Sequence, residues 1–110
     1  MPTEANCVML RGRVSSPPTV RELPSGDTIV TFRLSVARAR SAMTARSKAS
    51  ADWVDCAAWT ARTRRTVERW QVGDTVEVHG ALRRRFYRAA AGSTTRLEVE
   101  VMQARLPGPS

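Results

Sequence analysis

A chain of 110 residues is long enough for one domain and too short for two independent hydrophobic cores. Hydrophobic residues make up 42%, which is typical of a globular chain, and no apolar stretch is long enough for a transmembrane helix or placed as a secretion signal. The formal net charge is +8, and every basic residue except Lys48 is arginine. Because arginine binds phosphate through two donors and stacks on flat rings, this charge indicates a nucleic-acid partner rather than a membrane.

The first half of the chain predicts two strands. Val8 to Val14 alternates with a period of two, and turn residues follow at Ser15 to Pro18. Pro24 to Asp27 is a hairpin signal. Thr28 to Ala37 alternates again, with Ile29 expected on the outer face and four residues expected to point inward: Val30, Phe32, Leu34 and Val36.

The second half predicts three more strands. Trp53 to Trp59 is one, and Thr75 to Tyr87 is the next. In the latter, Gly80 indicates a bulge, and Leu82 is expected to point inward. Thr95 to Val101 is the last strand. Its alternation buries three residues, Leu97, Val99 and Val101, and leaves three facing water, Arg96, Glu98 and Glu100.

One helix is predicted between the third and fourth strands. Thr60 is a suitable N-cap, Gly73 follows the end, and the helix spans Thr60 to Gln71. Trp70 lies on its apolar stripe and is assigned to the core. Five strands with a single helix at this length favour an all-β fold, a five-stranded oligonucleotide-binding (OB) barrel with one short α-helix.

Two segments do not follow this periodicity. Residues 38–52 are basic and rich in Ala and Ser, which predicts a long flexible loop. Residues 106–110 cannot extend a strand or a helix. We therefore expect one domain over residues 1–105, followed by a short C-terminal tail. Cys7 points outward and Cys56 inward, so no disulfide is predicted between them.

The third strand predicts a surface that carries aromatic rings. If the third strand turns Val54, Cys56 and Ala58 toward the core, then the opposite, less buried face carries Trp53, Asp55, Ala57 and Trp59. On the fourth strand the same reasoning turns three residues outward: Arg83, Arg85 and Tyr87. Rings flanked by arginines on one face of a sheet are typical of single-stranded nucleic-acid binding, since bases stack on the rings and guanidinium groups neutralise phosphates. The alternative is that the tryptophans cap the barrel or pack against another subunit.

Six fragments, in this order and spacing, resemble those of the bacterial single-stranded DNA-binding protein family. They are Asn6 to Val14, Thr19 to Gly26, Val30 to Val36, Asp52 to Trp59, Gly73 to Gly80 and Leu82 to Tyr87. Each fragment alone is weak, but together they cover the chain from about residue 6 to residue 101. The resemblance implies an OB barrel, assembled as a homotetramer, that coats single-stranded DNA with little sequence preference.

The resemblance also implies roles for individual residues. The family's base-stacking rings fall on Trp53, Trp59 and Tyr87, and its basic strand carries Arg83 and Arg85. A further stacking position falls near Arg40, where a guanidinium group replaces the ring, so we expect weaker binding per subunit or a different path of the strand. The full predicted DNA-binding set is Trp53, Trp59, Tyr87, Arg33, Arg38, Arg40, Arg83 and Arg85.

The expected partners follow from the same resemblance. They are single-stranded DNA and three further copies of the chain, with the first strand near a subunit contact, in the cytoplasm in association with the nucleoid. The chain shows no acidic run at its end, so the resemblance implies a short paralogue without the segment that recruits replication and repair enzymes. We expect no catalytic residues, metal, cofactor or small-molecule substrate. An RNA-binding barrel and a protein-interaction subunit of a nucleic-acid complex remain the alternatives.

Overall fold

The computed structural model describes residues 4–89 and 92–107, and these form a closed five-stranded barrel with one helix. Around the barrel the order is β1-β2-β3-β5-β4, with β3 and β5 parallel and all other neighbours antiparallel. The elements are β1 (Val8–Glu22), β2 (Thr28–Ala37), β3 (Ala51–Ala58), α1 (Ala61–Glu68), β4 (Thr75–Ala89) and β5 (Gly92–Arg105). The predicted fold class is confirmed. Residues 1–3, 90 and 91 of the predicted domain and 108–110 of the predicted tail lie outside the described residues.

The barrel interior is filled by apolar side chains contributed by all five strands and by the helical segment. β2 has the predicted bounds, and three of its four predicted inward residues are buried, while Val36 is partly buried against the core. The buried cluster consists of Val14, Val30, Phe32, Leu34, Cys56, Ala58, Val67, Trp70, Val76, Val78, Val99 and Val101. Because successive strand residues point to opposite faces, this core determines which side chains lie outside the barrel.

The helix closes one end of this core. Thr60 caps it as predicted, its hydroxyl accepting a hydrogen bond from the Thr63 backbone N–H at 3.2 Å. α1 is shorter than predicted and ends at Glu68, but Trp70 is buried and meets Phe32 edge to face, with ring centroids 5.4 Å apart. No helix among the described residues is long and apolar enough to cross a membrane.

The prediction of a turn at Ser15 to Pro18 was wrong. β1 continues through these residues to Glu22, and its pairing with β2 shifts register between Val14 and Ser16 and again between Ser16 and Thr19. The prolines fall where the ladder is irregular, which is where a strand tolerates a missing N–H donor. The hairpin predicted at Pro24 to Asp27 is confirmed, with Gly26 at φ +92°.

The bulge predicted at Gly80 is confirmed by the register between β4 and β5. His79 pairs with Gln103 and Gly80 with Val101, so one residue of β5 has no partner on β4. A Cβ atom on Gly80 would lie 1.8 Å from the backbone oxygen of Glu100. Only a glycine permits this close approach of the two strands.

Beyond Gly80 the two strands form a projecting arm, which we define as residues 82–89 and 92–98. β1 pairs with β4 only as far as Gly80, and β3 pairs with β5 only from Val99 onward, so the arm strands pair with each other alone. The predictions that Leu82 and Leu97 are buried were therefore wrong: they are 41% and 50% exposed. They lie on the core side of the sheet at a point where the barrel no longer covers it.

Three outer-face predictions were also wrong, and one of them is Ala57 of β3, which is 1% exposed. Ile29 and Glu98 were expected to face water, but they are 0% and 5% exposed. Ile29 is apolar and lies on the outer side of β2, a strand against which α1 packs. Glu98 is buried among polar side chains of the arm, as described below. Alternation along one strand indicates which face a residue occupies, and other elements decide whether that face is covered.

Candidate nucleic-acid interface

Three strands bring the predicted rings and most of the predicted arginines to one outer surface of the barrel. The pairing of β2 with β3 places Arg33 opposite Asp55 and Ser35 opposite Trp53, and the pairing of β4 with β5 places Arg83 opposite Glu98. We call this surface the ring face. Its residues are Arg33, Trp53, Asp55, Trp59, Arg83, Arg85, Tyr87, Arg96, Glu98 and Glu100.

Trp53 is the most exposed ring of this surface. It is 72% exposed, and the guanidinium carbon of Arg33 lies 5.5 Å from its ring centroid. Arg33 is held there by Asp55, which accepts a hydrogen bond from Arg33 Nε at 3.0 Å. A large exposed indole next to a cation is a suitable platform for a nucleobase.

Trp59 and Tyr87 are linked through one arginine. The Arg85 guanidinium carbon lies 5.7 Å from the Trp59 ring centroid and 4.5 Å from the Tyr87 ring centroid. On the Tyr87 ring a second guanidinium, that of Arg96, lies 5.0 Å from the centroid. Two rings and two guanidinium groups thus form a continuous series along the arm, in the order Trp59, Arg85, Tyr87 and Arg96.

Glu98 accepts hydrogen bonds from the two central residues of this series, Arg85 and Tyr87. Its Oε1 accepts a hydrogen bond from Arg85 Nε at 2.7 Å, and its Oε2 accepts one from the Tyr87 hydroxyl. Burial, together with the hydrogen bond and negative charge of Glu98, raises the pKa of Tyr87. Burial alone would lower the pKa of Arg85, but the hydrogen bond and charge of Glu98 outweigh it and raise that pKa. Tyr87 is therefore neutral and Arg85 charged at neutral pH.

All three predicted arginines of the ring face are paired with carboxylates. Besides the two pairs above, Arg83 Nε donates to Glu100 Oε1 at 3.0 Å. The pairs differ in exposure: the Arg33 and Arg83 side chains are 43% and 51% exposed, whereas that of Arg85 is 17% exposed. Arg33 and Arg83 are accessible to a phosphate, and Arg85 is largely enclosed by its partners.

Two shallow clefts cross the ring face. One, of about 370 Å³, has Trp59, Arg83 and Arg85 among its lining residues. The other, of about 290 Å³, lies between the β1–β2 region and the arm, with Arg21, Tyr87 and Arg96 among its lining residues. Glu98 lines both clefts. An extended strand can therefore contact both sides of the Arg85 and Tyr87 pair.

The remaining predicted residues, Arg38 and Arg40, belong to the loop between β2 and β3. Arg38 turns toward its own loop: its Nη1 donates to Ser47 Oγ at 3.0 Å, and its Nε lies 3.2 Å from Asp52 Oδ1. Arg40 is exposed two residues further along. Neither residue lines the two clefts of the ring face.

Sequence reasoning missed four contributors to the ring face. Arg96, Glu98 and Glu100 were assigned only to solvent, and Asp55 was placed on the outer face of the third strand without a partner. The signal was present in the alternation of the last strand, which turns Arg96, Glu98 and Glu100 to the same side. Only the register between β4 and β5 shows that this side adjoins Arg83, Arg85 and Tyr87.

The chain also carries reactive groups, namely two cysteines and side chains of the types that bind metals. Cys56 and Cys7 are both free, and burial, followed by the charges of Asp55 and Glu98, raises the pKa of the Cys56 thiol to about 12. That thiol therefore stays protonated. In residues 4–89 and 92–107, His, Cys, Asp and Glu form no group of three or more that could hold a metal ion.

Comparison with known proteins agrees with this geometry. The family model of the single-strand binding protein family matches residues 5–106. A solved structure described as a Plasmodium falciparum SSB complex with ssDNA is similar in fold, with a TM-score of 0.71 and 23% sequence identity, over 96% of this chain and 95% of that chain. Comparison with curated protein sequences gives no match. The chain belongs to the single-strand binding protein family, and it is a binding protein for single-stranded DNA rather than an enzyme.

Proposed function

We propose that this protein binds single-stranded DNA with little sequence preference by stacking bases on Trp53, Trp59 and Tyr87. The observation that carries the proposal is the placement of these three rings on one face, each within 5.7 Å of a guanidinium carbon. Every base offers a flat π-face, so stacking tolerates any sequence. The neighbouring cations supply the phosphate attraction that stacking alone lacks.

Phosphates are held by the accessible arginines of the ring face. Arg33 and Arg83 are half exposed, and exposed ion pairs contribute little to stability, typically about 0–1 kcal/mol. A DNA phosphate can therefore replace Asp55 or Glu100 as their partner at small cost. Arg96 and Arg21, beside the second cleft, extend the cationic path.

The basic loop between β2 and β3 is proposed to fold over the bound strand. It carries four cationic side chains, Arg38, Arg40, Arg46 and Lys48. Since Arg38 is tied to Ser47 and Asp52, it anchors the base of the loop, while Arg40 is exposed and available for contact with DNA. We further propose that the flexible loop and barrel form a single binding domain over residues 1–105.

We propose a role in DNA replication, repair or recombination in the cytoplasm, and assembly as a homotetramer. Assembly is supported by exposed apolar side chains on the barrel, such as Met9 on β1, which is 67% exposed. Small barrels bury little core, so association would cover such surfaces. Light scattering at micromolar concentration tests the assembly, and a stable monomer would contradict it.

Titration with oligo-dT while following tryptophan fluorescence tests the binding mode. We expect quenching of the wild-type protein and a loss of roughly 5- to 150-fold in affinity for each of Trp53→Ala and Trp59→Ala, since a stacked base contributes about 1–3 kcal/mol. Trp70 is 5% exposed and provides the unresponsive background signal. Unchanged quenching in the Trp53→Ala/Trp59→Ala double variant would contradict the proposed mode. Competition between oligo-dT and oligo-rU distinguishes DNA from RNA preference, because only RNA carries 2′-hydroxyl groups.

A further inference from the structure

Glu98 is the most buried acidic residue of the ring face. It is 5% exposed, and both of its carboxylate oxygens are occupied. Arg85 Nε donates to Oε1 at 2.7 Å, Arg85 Nη2 lies 3.4 Å from Oε2, and the Tyr87 hydroxyl donates to Oε2. Arg85 Nη2 also donates to the Tyr87 hydroxyl oxygen, so the three side chains form a closed ring of hydrogen bonds.

This ring of hydrogen bonds orients the stacking groups on both sides of it. Arg85 lies against the Trp59 and Tyr87 rings, and its side chain is only 17% exposed, so it cannot turn toward a phosphate without leaving Glu98. Glu98 also lines both clefts of the ring face. One carboxylate therefore holds the Tyr87 hydroxyl and the Arg85 guanidinium, and that guanidinium lies against both the Trp59 and the Tyr87 rings.

A negative charge on a surface that binds a polyanion has an unfavourable Coulomb interaction with the ligand. The negative charge of Glu98 is therefore expected to weaken DNA binding, unless its hydrogen bonds to Arg85 and Tyr87 favour binding. The charge of Glu98 and its role in orienting Arg85 and Tyr87 thus predict opposite effects on DNA affinity when the carboxylate is removed. If charge dominates, a neutral side chain strengthens binding; if position dominates, it weakens binding.

We infer that Glu98 is a positioning residue for DNA binding, which holds Arg85 and Tyr87 in the orientation that stacks bases in the two clefts. This inference rests on the proposed stacking function. Glu98 does not contact DNA phosphates, and its effect passes through the Tyr87 ring and the Arg85 guanidinium. Loss of its charge leaves Arg85 largely enclosed without its partner, so that Arg85 and Tyr87 both change position.

The decisive comparison is between Glu98→Gln and Glu100→Gln. Both variants remove one negative charge from the same face of β5, but Glu98 holds Arg85 and Tyr87 whereas Glu100 accepts its hydrogen bond from the half-exposed Arg83. In oligo-dT titrations we expect Glu98→Gln to bind roughly 5-fold or more weakly at every salt concentration. We expect Glu100→Gln to bind more tightly, with the gain largest at low salt, because it frees Arg83 and removes a negative charge.

Tyr87→Phe separates position from charge. It keeps the ring and the net charge but removes the hydroxyl that donates to Glu98. We expect weaker binding than wild type, and we expect the double variant Glu98→Gln/Tyr87→Phe to lose less than the product of the two single losses, because both changes break the same hydrogen-bond ring. Thermal melting establishes that each variant is folded at the assay temperature, and if Glu98→Gln is not, Tyr87→Phe decides the outcome.

The outcomes separate the inference from the proposed function. If the wild-type protein itself shows no quenching by oligo-dT, the stacking function fails and the inference fails with it. If the wild-type protein binds but folded Glu98→Gln binds as tightly or more tightly, with the salt dependence of Glu100→Gln, the inference alone is overturned. Full wild-type affinity of Tyr87→Phe would also overturn it.

Discussion

Two glutamates of the β4–β5 hairpin, Glu77 and Glu98, are each 5% exposed and each hold arginine side chains, yet their surroundings differ. Glu77 lies at the barrel end of the hairpin and accepts hydrogen bonds from Arg11 at 3.1 Å and Arg105 at 2.7 Å, with His79 Nε2 at 3.0 Å. Glu98 lies on the arm and holds Arg85 and Tyr87.

The difference lies in the aromatic rings and in the exposure of the partners. Within the described part of the chain, every cation–π contact falls on the ring face. The partners of Glu77 are exposed, with Arg11 at 63% and Arg105 at 68%, whereas Arg85 is 17% exposed. Clustering of arginines around an acid is therefore not itself a sign of DNA binding. The Glu77 cluster joins strands of the barrel, and the Glu98 cluster orients rings.

The largest effect on stability is expected from Gly80→Ala. Gly80 lies on β4 between the Glu77 cluster and the arm that carries the Glu98 cluster. The added Cβ would lie 1.8 Å from the Glu100 backbone oxygen, so the strands must separate. We expect a loss of at least about 3 kcal/mol in the free energy of unfolding, measured by chemical denaturation. Gly26→Ala is the control, because Gly26 has open space but φ +92°, and it should cost only about 1–2 kcal/mol. Similar losses for both variants would contradict the close approach at Gly80.

The next largest effect is a pH dependence of the folding stability, which is caused by the ionisation of Glu77. Hydrogen bonds from His79, Arg105 and Arg11 lower the pKa of Glu77 from 4.5 to about 2. A lowered pKa in the folded state means that the stabilisation is complete above pH 4.5 and is lost as the pH falls toward 2. We expect Glu77→Gln to melt at a lower temperature than wild type at pH 7, and the two to converge toward pH 2.

The DNA affinity of Glu77→Gln is expected to differ from that of Glu98→Gln. Glu77→Gln should keep wild-type affinity for oligo-dT at 0.1 M salt and above, since screening limits the reach of a charge to about 10 Å at that ionic strength. A loss of affinity like that expected for Glu98→Gln would mean that the two glutamates are equivalent in DNA binding.

The smallest effect is expected from single exposed arginines. Arg83→Ala should weaken oligo-dT binding a few-fold and should reduce the slope of log K against log salt by about 0.7, the value for one phosphate contact on a single strand. Arg105→Ala removes the same charge from the Glu77 cluster and should leave that slope unchanged. Equal slopes for the two variants would show that Arg83 contributes only to net charge.

The orientation of the proposed site could be predicted from the sequence. Phe32 and Leu34 on β2 and Cys56 on β3 alternate with polar residues, and burying them forces Arg33 and Trp53 outward. This argument needs only the period of two in an extended strand. It failed at Leu82 and Leu97, because local alternation does not reveal where the hairpin leaves the barrel.

The partners of the arginines could not be predicted in the same way. Glu98 is two residues from Arg96 in the sequence but binds Arg85, which lies 13 residues away. That contact depends on the register of β4 against β5, and the register shifts at Gly80. For the same reason, the order of the series Trp59, Arg85, Tyr87 and Arg96 could not be predicted from the alternation of residues along single strands.

By itself, the sequence determined the number and order of the strands, the single capped helix, most of the core and the face on which Trp53, Trp59 and Tyr87 lie. These properties follow from local periodicity and from the burial of apolar side chains. The tertiary structure alone decided which outward residues are covered, how far the arm projects and which acid holds which arginine. These depend on closure of the barrel and on strand register, which join residues far apart in the chain.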